Sequence, residues 1–372
     1  MSQRENVNPR REQDHRKNSR RYQKRAAARR RRNTIFIMEI VLLLILAVVL
    51  FFVSKLSKIE KTKLDMDKIE VNEDISQESQ KIMKGYQTIA MFGLDNRSNG
   101  NLSQGRSDVI MLANINNDTK EVKLVSVYRD TYLDTGDGIF QKCNAAYAKG
   151  GPEQAISMLN VNLDLNITDY VTVDFNSIIE CVDLLGGVDM EITDDEASLM
   201  TGYIRELNEL TGNKAENLTQ GDTYTLNGVQ ACAYARIRYG GGDDYRRTER
   251  QRTVLTAMVK KAQQSDLTTV NKLINEVCGD IQTSFSNAEL LALASQVFQY
   301  SIGDTTGFPF TKTTKVLSKK TGDVVIPCDL SDNVKELHIF LYEDSAYTVS
   351  DTVKQNSEKI VSDTGFKSGD GH

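Results

Sequence analysis

Short apolar runs that alternate with helical segments make up most of the chain from Tyr86 onward, and this alternation restricts the fold more than any other feature. The runs have the length and periodicity of β-strands and lie at residues 87–94, 109–115, 121–128, 169–175 and 188–192. Helical patterns with N-terminal start signals lie at Pro152–Leu163, Asn176–Leu185 and Arg247–Gln264. This order predicts an α/β domain in which helices sandwich a central mixed sheet.

The boundaries of this domain follow from changes in composition. Residues 86–264 contain the strand and helix patterns, and residues 265–362 are predicted to form the C-terminal part of the same domain. Residues 55–85 are charged and poor in aromatic side chains, which is typical of a stalk or linker. The polar residues 363–372 are predicted to be a disordered tail.

The N-terminal region contains a segment with the properties of a membrane anchor. Residues 34–54 are apolar apart from a few positions such as Glu39, and are long enough to cross a bilayer once as a helix. Residues 1–33 carry 13 Lys and Arg against 3 acidic residues, so the positive-inside rule places them in the cytoplasm and the remainder of the chain outside. A cleaved signal peptide is the alternative, but the segment ends without a small-residue cleavage pattern.

The charge of the remaining chain excludes one class of partner. Residues 34–372 contain 33 Lys and Arg against 48 Asp and Glu, so this part is strongly acidic and no nonspecific binding of nucleic acid is expected. The basic N-terminal tail could be a nucleic-acid-binding arm. Its position directly before an apolar segment instead favours a topology signal that also contacts anionic lipid.

Arginine and aspartate occur close together at four places in the chain. The pairs are Asp95 with Arg97, Arg106 with Asp108, Arg129 with Asp130, and Asp244 with Arg247 and Arg250. The arginine fork binds phosphate oxygens in bidentate fashion, and carboxylates are the ligands that magnesium prefers. Any one pair could be a surface ion pair of little consequence. Because three of the four lie at the ends of neighbouring predicted strands, they predict a site for a pyrophosphate and its metal.

The fourth pair belongs to a longer basic segment, residues 226–252. A predicted helix ends at Arg236 and Arg238, a glycine-rich turn follows, and Arg247 and Gln251 then share one face of the next helix. So dense a group of cations would repel itself without an anion. The three histidines lie far from these clusters, and the five cysteines show no CxxC spacing, so neither imidazole catalysis nor a zinc site is expected.

Seven motifs in this order carry a resemblance to a known family. They are GLDNR, RSD, VYRD, KCNAAYA, LLGGVD, LNGVQACAYARIR and DYRRTERQR, and they cover about residues 86–264. On these motifs the chain resembles the LytR-CpsA-Psr family of cell-wall glycopolymer ligases. It departs from the family pattern at Tyr128, where proline is usual, and at Cys143, Val229, Cys232 and Arg246. These positions lie beside the charged residues and bear on substrate choice more than on activity.

The resemblance implies a reaction and a role for each charged residue. A glycopolymer phosphate would pass from an undecaprenyl-pyrophosphate carrier to a peptidoglycan hydroxyl at the cytoplasmic membrane, with the polyprenyl tail in an apolar cavity. Asp95 and Asp108 would bind Mg²⁺, and Arg129 would be catalytic. The phosphates or their surroundings would be bound by Arg97, Arg106, Arg129, Arg236, Arg238, Arg247 and Gln251. The general base is open between Asp244, the first choice, and Asp130.

Three alternative functions remain. A polyprenyl-phosphate carrier or sensor would keep the arginines but would not need Asp95 and Asp108 as metal ligands. A pyrophosphatase would use water in place of the sugar hydroxyl. A membrane-bound transcriptional regulator would need a cytoplasmic DNA-reading fold, which a basic tail of 33 residues without an apolar pattern cannot build.

Overall fold

The computed structural model describes residues 60–61, 64–94, 102, 105–238, 243–266, 268–269, 272–273 and 281–371. The predicted basic tail (1–33) and the predicted membrane helix (34–54) lie outside these residues, as do Asp95 and Arg97. Within the described ranges, no helix combines the length and the apolar character needed to span a bilayer.

A central sheet of seven strands organises the domain. In spatial order these are β1 (Glu60–Lys61), β10 (Ile281–Thr283), β7 (Asp169–Asp174), β2 (Tyr86–Leu94), β3 (Ser107–Asn116), β4 (Glu121–Val127) and β11 (Ser301–Phe308). Strands β2, β3 and β4 are antiparallel neighbours, whereas β7 runs parallel to β2 and β11 runs parallel to β4. The sheet is therefore mixed, as predicted.

Helices cover both faces of this sheet. Those in the described residues are α1 (Gln77–Met83), α2 (Ala145–Leu163), α3 (Phe175–Leu184), α4 (Asp194–Thr211), α5 (Gly228–Arg236), α6 (Asp243–Gln264), α7 (Asn287–Ser295), α8 (Leu330–Tyr342) and α9 (Asp351–Thr364). Ala90 and Phe92 pack in the main core cluster with α2, α8 and α9, whereas Ile89 packs in a separate cluster with residues of α6 and α7. Because successive strand residues point to opposite faces, this alternation confirms the predicted sandwich.

One predicted strand lies outside the central sheet. Strand β8 (Val188–Ile192) forms a two-stranded antiparallel hairpin with β9 (Asp222–Leu226). Its alternate residues Val188, Met190 and Ile192 are buried in a second apolar cluster with α3, α4, α5 and α6. Two further hairpins are β5 (Tyr132–Asp134) with β6 (Phe140–Lys142), and β12 (Lys312–Ser318) with β13 (Gly322–Pro327).

The predicted stalk at residues 55–85 is wrong for its described part. Ile69, Ile75 and Met83 are buried in the main core cluster, and the Asn72 amide donates to the Val161 carbonyl in α2. The segment therefore packs against the domain from Leu64 onward. Its apolar residues are few and widely spaced, so its composition resembles that of a linker although Ile69, Ile75 and Met83 are buried.

The predicted disordered tail at residues 363–372 is also wrong for the described residues. Helix α9 continues to Thr364 and ends at Gly365, which has the positive φ of 84° that glycine adopts without strain. Phe366 packs against the main core, and Lys315 Nζ donates to the Thr364 carbonyl at 2.8 Å. The polar residues at this end therefore belong to the last turn of α9 and the turn that follows it.

Candidate phosphate-binding site

The ends of two neighbouring strands bring the first charged residues together. Asp108 lies near the start of β3, and Arg129 follows the end of β4. Because these strands are antiparallel, both residues lie at the same edge of the sheet, where Arg129 Nη1 donates to Asp108 Oδ1 at 2.7 Å. The structure thus brings Asp108 and Arg129, two of the predicted site residues, into contact at this edge.

Helix α6 contributes the next residues from one of its faces. Asp244, Arg247 and Gln251 are separated by three and four positions, so they point to the same side. Arg247 is buried, and its Nη2 lies 2.9 Å from Asp244 Oδ1 and donates to the Asp108 backbone carbonyl at 3.2 Å. These contacts hold α6 against the start of β3.

Helix α5 places a further arginine at its C-terminal end. The helix begins with Asn227, whose side chain accepts from the Gln230 amide, and Gly228 lies so close to α3 that a Cβ there would be 2.1 Å from the Ile179 carbonyl oxygen. This close approach fixes the position of α5, and so the position at which Arg236 leaves the helix.

Arg236 is surrounded by residues of two other helices. Its Nη2 donates to Glu206 Oε1 at 3.2 Å, and its guanidinium lies 5.5 Å from the Phe175 ring and 5.7 Å from the Tyr203 ring. Both ring distances are within the range of cation–π attraction. Arg238, two residues further, is 45% exposed and its Nη2 lies 3.8 Å from Asp108 Oδ2.

These residues enclose a polar pocket of about 230 Å³, here called the arginine pocket. It is lined by Asp108, Arg129, Phe175, Tyr203, Arg236, Arg238, Arg247 and Gln251. Six of these residues were predicted for the site, and the structure brings all six together. Arg106 is exposed at the start of β3 and does not line the pocket.

The two candidate bases have different surroundings. Asp130 Oδ1 lies 2.9 Å from Lys142 Nζ and its Oδ2 lies 3.7 Å from Arg129 Nε, so both oxygens face cations. Asp244 Oδ1 contacts Arg247, but its Oδ2 is buried and has no hydrogen-bond partner among the described residues. Among the oxygens of these two carboxylates, Asp244 Oδ2 is the one that is buried without a hydrogen-bond partner among the described residues.

Burial and neighbouring charges act on the arginines in opposite directions. Burial lowers the pKa of Arg247 to about 10, and the nearby Arg129 and Arg238 also lower it, against the opposing effects of Asp244 and Asp108. Burial opposes the charged form of Arg129 as well, but three aspartates raise its pKa above the ordinary value. The lining of the pocket thus contains four arginines and one carboxylate, Asp108, an arrangement that favours a bound anion.

An apolar cavity of about 130 Å³ adjoins the arginine pocket. It is lined by Met91, Phe92, Gly93, Leu94, Val109, Met111, Val173, Asp174, Phe175, Ile178, Cys232, Ala235, Gln251, Val254, Leu255 and Met258. Phe175 and Gln251 line both spaces, so the polar and apolar cavities are contiguous at these two residues. Together they suit a molecule with a charged group and a hydrocarbon chain.

Several residues around the pocket were not predicted from the sequence. Phe175 ends a predicted strand, and Tyr203 and Glu206 lie on α4, which carries no charged motif that distinguishes it. Arg252 belongs to the DYRRTERQR motif, but the sequence predicted no role for it. It is buried, and its Nη1 donates to Ser126 Oγ at 2.8 Å, which ties α6 to β4.

The fold and the pocket define a class, that of α/β sandwich proteins with an arginine-lined pocket beside an apolar cavity. The chain belongs to the LytR_cpsA_psr family, whose model matches residues 46–315.

Several known proteins are similar to part of this chain. It is 30% identical over 210 residues to the polyisoprenyl-teichoic acid–peptidoglycan teichoic acid transferase TagU of Enterococcus faecalis, covering 56% of this chain and 64% of that one. Identity to the transferase TagV of Bacillus subtilis is 30% over 195 residues, covering 51% and 48%. The alignments thus span less than two thirds of either relative. The structure of the Bacillus subtilis protein YwtF (TagT) with bound octaprenyl pyrophosphate superposes with a TM-score of 0.51 at 22% identity, covering 70% and 92%.

Proposed function

We propose that the protein is a membrane-anchored phosphotransferase of cell-wall assembly. It would transfer a glycopolymer from an undecaprenyl-pyrophosphate carrier to a hydroxyl of peptidoglycan. The observation that carries this proposal is the contact between the arginine pocket and the apolar cavity at Phe175 and Gln251. A polyprenyl pyrophosphate has a diphosphate head and a hydrocarbon tail. The arginine pocket suits the diphosphate, and the apolar cavity suits the tail.

The similar proteins support the same chemistry. TagU and TagV are named as transferases of teichoic acid from a polyisoprenyl carrier to peptidoglycan, and YwtF binds octaprenyl pyrophosphate. A carrier or a pyrophosphatase would use the same two spaces, so the experiment below is designed to separate these functions from a transferase.

The residues in and beside the arginine pocket suit phosphoryl transfer in the proposed reaction. Arg129, Arg236, Arg238 and Arg247 would neutralise the pyrophosphate and hold it in line with the acceptor. Asp244 would accept the proton of the acceptor hydroxyl as its oxygen bonds to the phosphorus of the glycopolymer phosphate. The bond between that phosphorus and the bridging oxygen breaks, and polyprenyl phosphate leaves. Such transfer requires mainly positioning and charge neutralisation, so no protein nucleophile is needed.

The carboxylates present also suit magnesium. Asp108 and Asp244 both lie within 4 Å of Arg129, so two carboxylates, which are hard oxygen ligands, converge on one place. Among the described residues, no group of three or more His, Cys, Asp and Glu side chains forms a metal site by itself. Asp108 would hold the ion together with Asp95 and substrate oxygens. Bound there, magnesium would neutralise charge that develops on the phosphates.

We further propose that residues 1–33 lie in the cytoplasm and that residues 34–54 cross the membrane, with the domain outside. Protease added to wall-stripped intact cells should then digest residues 55–372, because they would face the medium. The measurement is immunoblotting with antibodies against the domain, and a cytoplasmic protein in the same cells controls for lysis. Protection of the domain in intact cells would show that this orientation is wrong.

The transferase proposal is tested with a donor labelled in the glycopolymer, supplied to the purified protein with peptidoglycan oligomers and magnesium. We expect the label to become attached to the oligomers and polyprenyl phosphate to be released. Label released as free polymer phosphate without acceptor would indicate a pyrophosphatase, and label that remains on the lipid would indicate a carrier. A donor with a short prenyl chain should be transferred less well, because it leaves the apolar cavity unfilled.

A further inference from the structure

A second group of basic and aromatic residues lies beside the arginine pocket. We refer to Tyr128, Lys142, Tyr245 and Lys312 as the Lys312 cluster. Lys312 Nζ lies 4.7 Å from the centre of the Tyr245 ring and 5.4 Å from that of Tyr128, and the two ring centres are 4.6 Å apart. The side chain comes from the first residue of β12, so the β12–β13 hairpin contributes to the surroundings of the site.

The chain itself connects this cluster to the arginine pocket. Tyr128 directly precedes Arg129, and Tyr245 directly follows Asp244. Lys142 Nζ contacts Asp130 at 2.9 Å, and Asp130 in turn lies 3.7 Å from Arg129 Nε. The cluster therefore borders the pocket where Arg129 and Asp244 lie.

The apolar cavity meets the pocket at other residues. It shares Phe175 and Gln251 with the pocket, and no member of the Lys312 cluster lines it. The chain of contacts thus runs from the apolar cavity through the arginine pocket to the Lys312 cluster. If the lipid occupies the apolar cavity, the Lys312 cluster remains available to the second substrate.

The surroundings of Lys312 point to an anionic ligand. Its ammonium donates to the Phe310 carbonyl at 3.1 Å, but it forms no ion pair with a carboxylate of the described residues. Partial burial lowers the pKa of Lys312, so its charge is incompletely solvated. The Lys312 ammonium could donate a charge-assisted hydrogen bond to a ligand carboxylate. The neighbouring Tyr245 ring is partly exposed, and an aromatic face can pack against the apolar C–H face of a sugar ring.

We propose that Tyr245 and Lys312 bind the acceptor glycan, a sugar chain that carries carboxylate groups. Tyr245 would pack against a sugar ring, and Lys312 would bind a carboxylate. Because Tyr245 adjoins Asp244, a glycan held there would lie beside the residue that accepts the proton of its hydroxyl. This inference rests on the proposed transferase function, for which it supplies the acceptor site.

The test compares Lys312→Met with Lys319→Met, an exposed lysine at the end of the same hairpin. Binding of a soluble, carboxylate-bearing peptidoglycan fragment to the full chain is measured by calorimetry, beside binding of a neutral chitin oligomer and of the lipid pyrophosphate. We expect Lys312→Met to bind the fragment about 10-fold more weakly, because it loses a hydrogen bond to a charged group. Lys319→Met should bind it as the wild type does, and both should keep the affinity for the lipid.

A pair of tyrosine variants tests the aromatic contact. Tyr245→Phe retains the ring and should bind both glycans like the wild type, whereas Tyr245→Ala should bind both more weakly. Unchanged fragment binding in Lys312→Met, an equal loss in Lys319→Met, or a wild type that does not bind the fragment would each overturn the acceptor site. The outcomes also separate the two proposals. If the wild type transfers no label but Lys312→Met still loses fragment binding, the transferase proposal is contradicted and the glycan site is kept. If Lys312→Met transfers label at the wild-type rate, the transferase proposal is kept and the glycan site is contradicted.

Discussion

Replacement of Arg247 by lysine is expected to reduce the rate of glycopolymer transfer by about 100-fold, the size of effect seen when one preorganised donor is removed from a reacting oxyanion. Arg247 is buried, uses Nη2 to contact both Asp244 Oδ1 and the Asp108 carbonyl, and lines the arginine pocket. Lysine keeps the charge but cannot reproduce the planar fork. The measurements are the transfer rate, the affinity for lipid pyrophosphate and a melting curve.

Arg250→Lys provides a matched control on the same helix. Arg250 is also largely buried, but its Nε binds Glu196 Oε1 at 3.1 Å and it does not line the pocket. We expect this variant to lose some stability and to keep most of its transfer rate. Equal losses of rate in Arg247→Lys and Arg250→Lys would show that Arg247 supports the fold and does not act on the phosphates.

Asp108→Asn is expected to decrease transfer by about 100-fold and to weaken its dependence on magnesium. The carboxylate accepts from Arg129 at 2.7 Å and lies 3.8 Å from Arg238, and we propose that it also binds the metal. The amide has nearly the same shape but no charge, so it would lose the metal and orient the two arginines less well. The rate is measured against magnesium concentration, and the melting temperature is measured in parallel.

Asp189→Asn is a suitable control for a simple loss of one acidic residue. Asp189 is an exposed residue of β8 that pairs with Lys261 at 3.2 Å, and such exposed pairs add little to stability because solvent screens them. Its replacement should leave the magnesium dependence unchanged. If Asp108→Asn were fully active in excess chelator, Asp108 would be neither a metal ligand nor needed to orient the arginines for transfer.

The strands could be predicted because their signal is local. Runs such as 109–115 and 121–128 agree closely with β3 and β4, since a strand between two layers of helices needs apolar side chains on both faces. Helix α6 was predicted from Arg247, although it begins at Asp243. The stalk and the tail were misjudged because their buried residues are few, and composition averages over them.

The predicted residues of the arginine pocket depend on spacing within one helix or on the pairing of two consecutive strands. Arg247 and Gln251 lie one helical turn apart in α6, and Asp108 and Arg129 lie at the adjoining ends of β3 and β4, so a short stretch of chain suffices to place each pair. The contacts of Arg236 are different. Phe175, Tyr203 and Glu206 reach it from α3 and α4 because these helices pack against α5 in the second apolar cluster. Periodicity along one segment reveals which face is buried but not which distant segment covers it, so only the packed structure decides what surrounds this arginine.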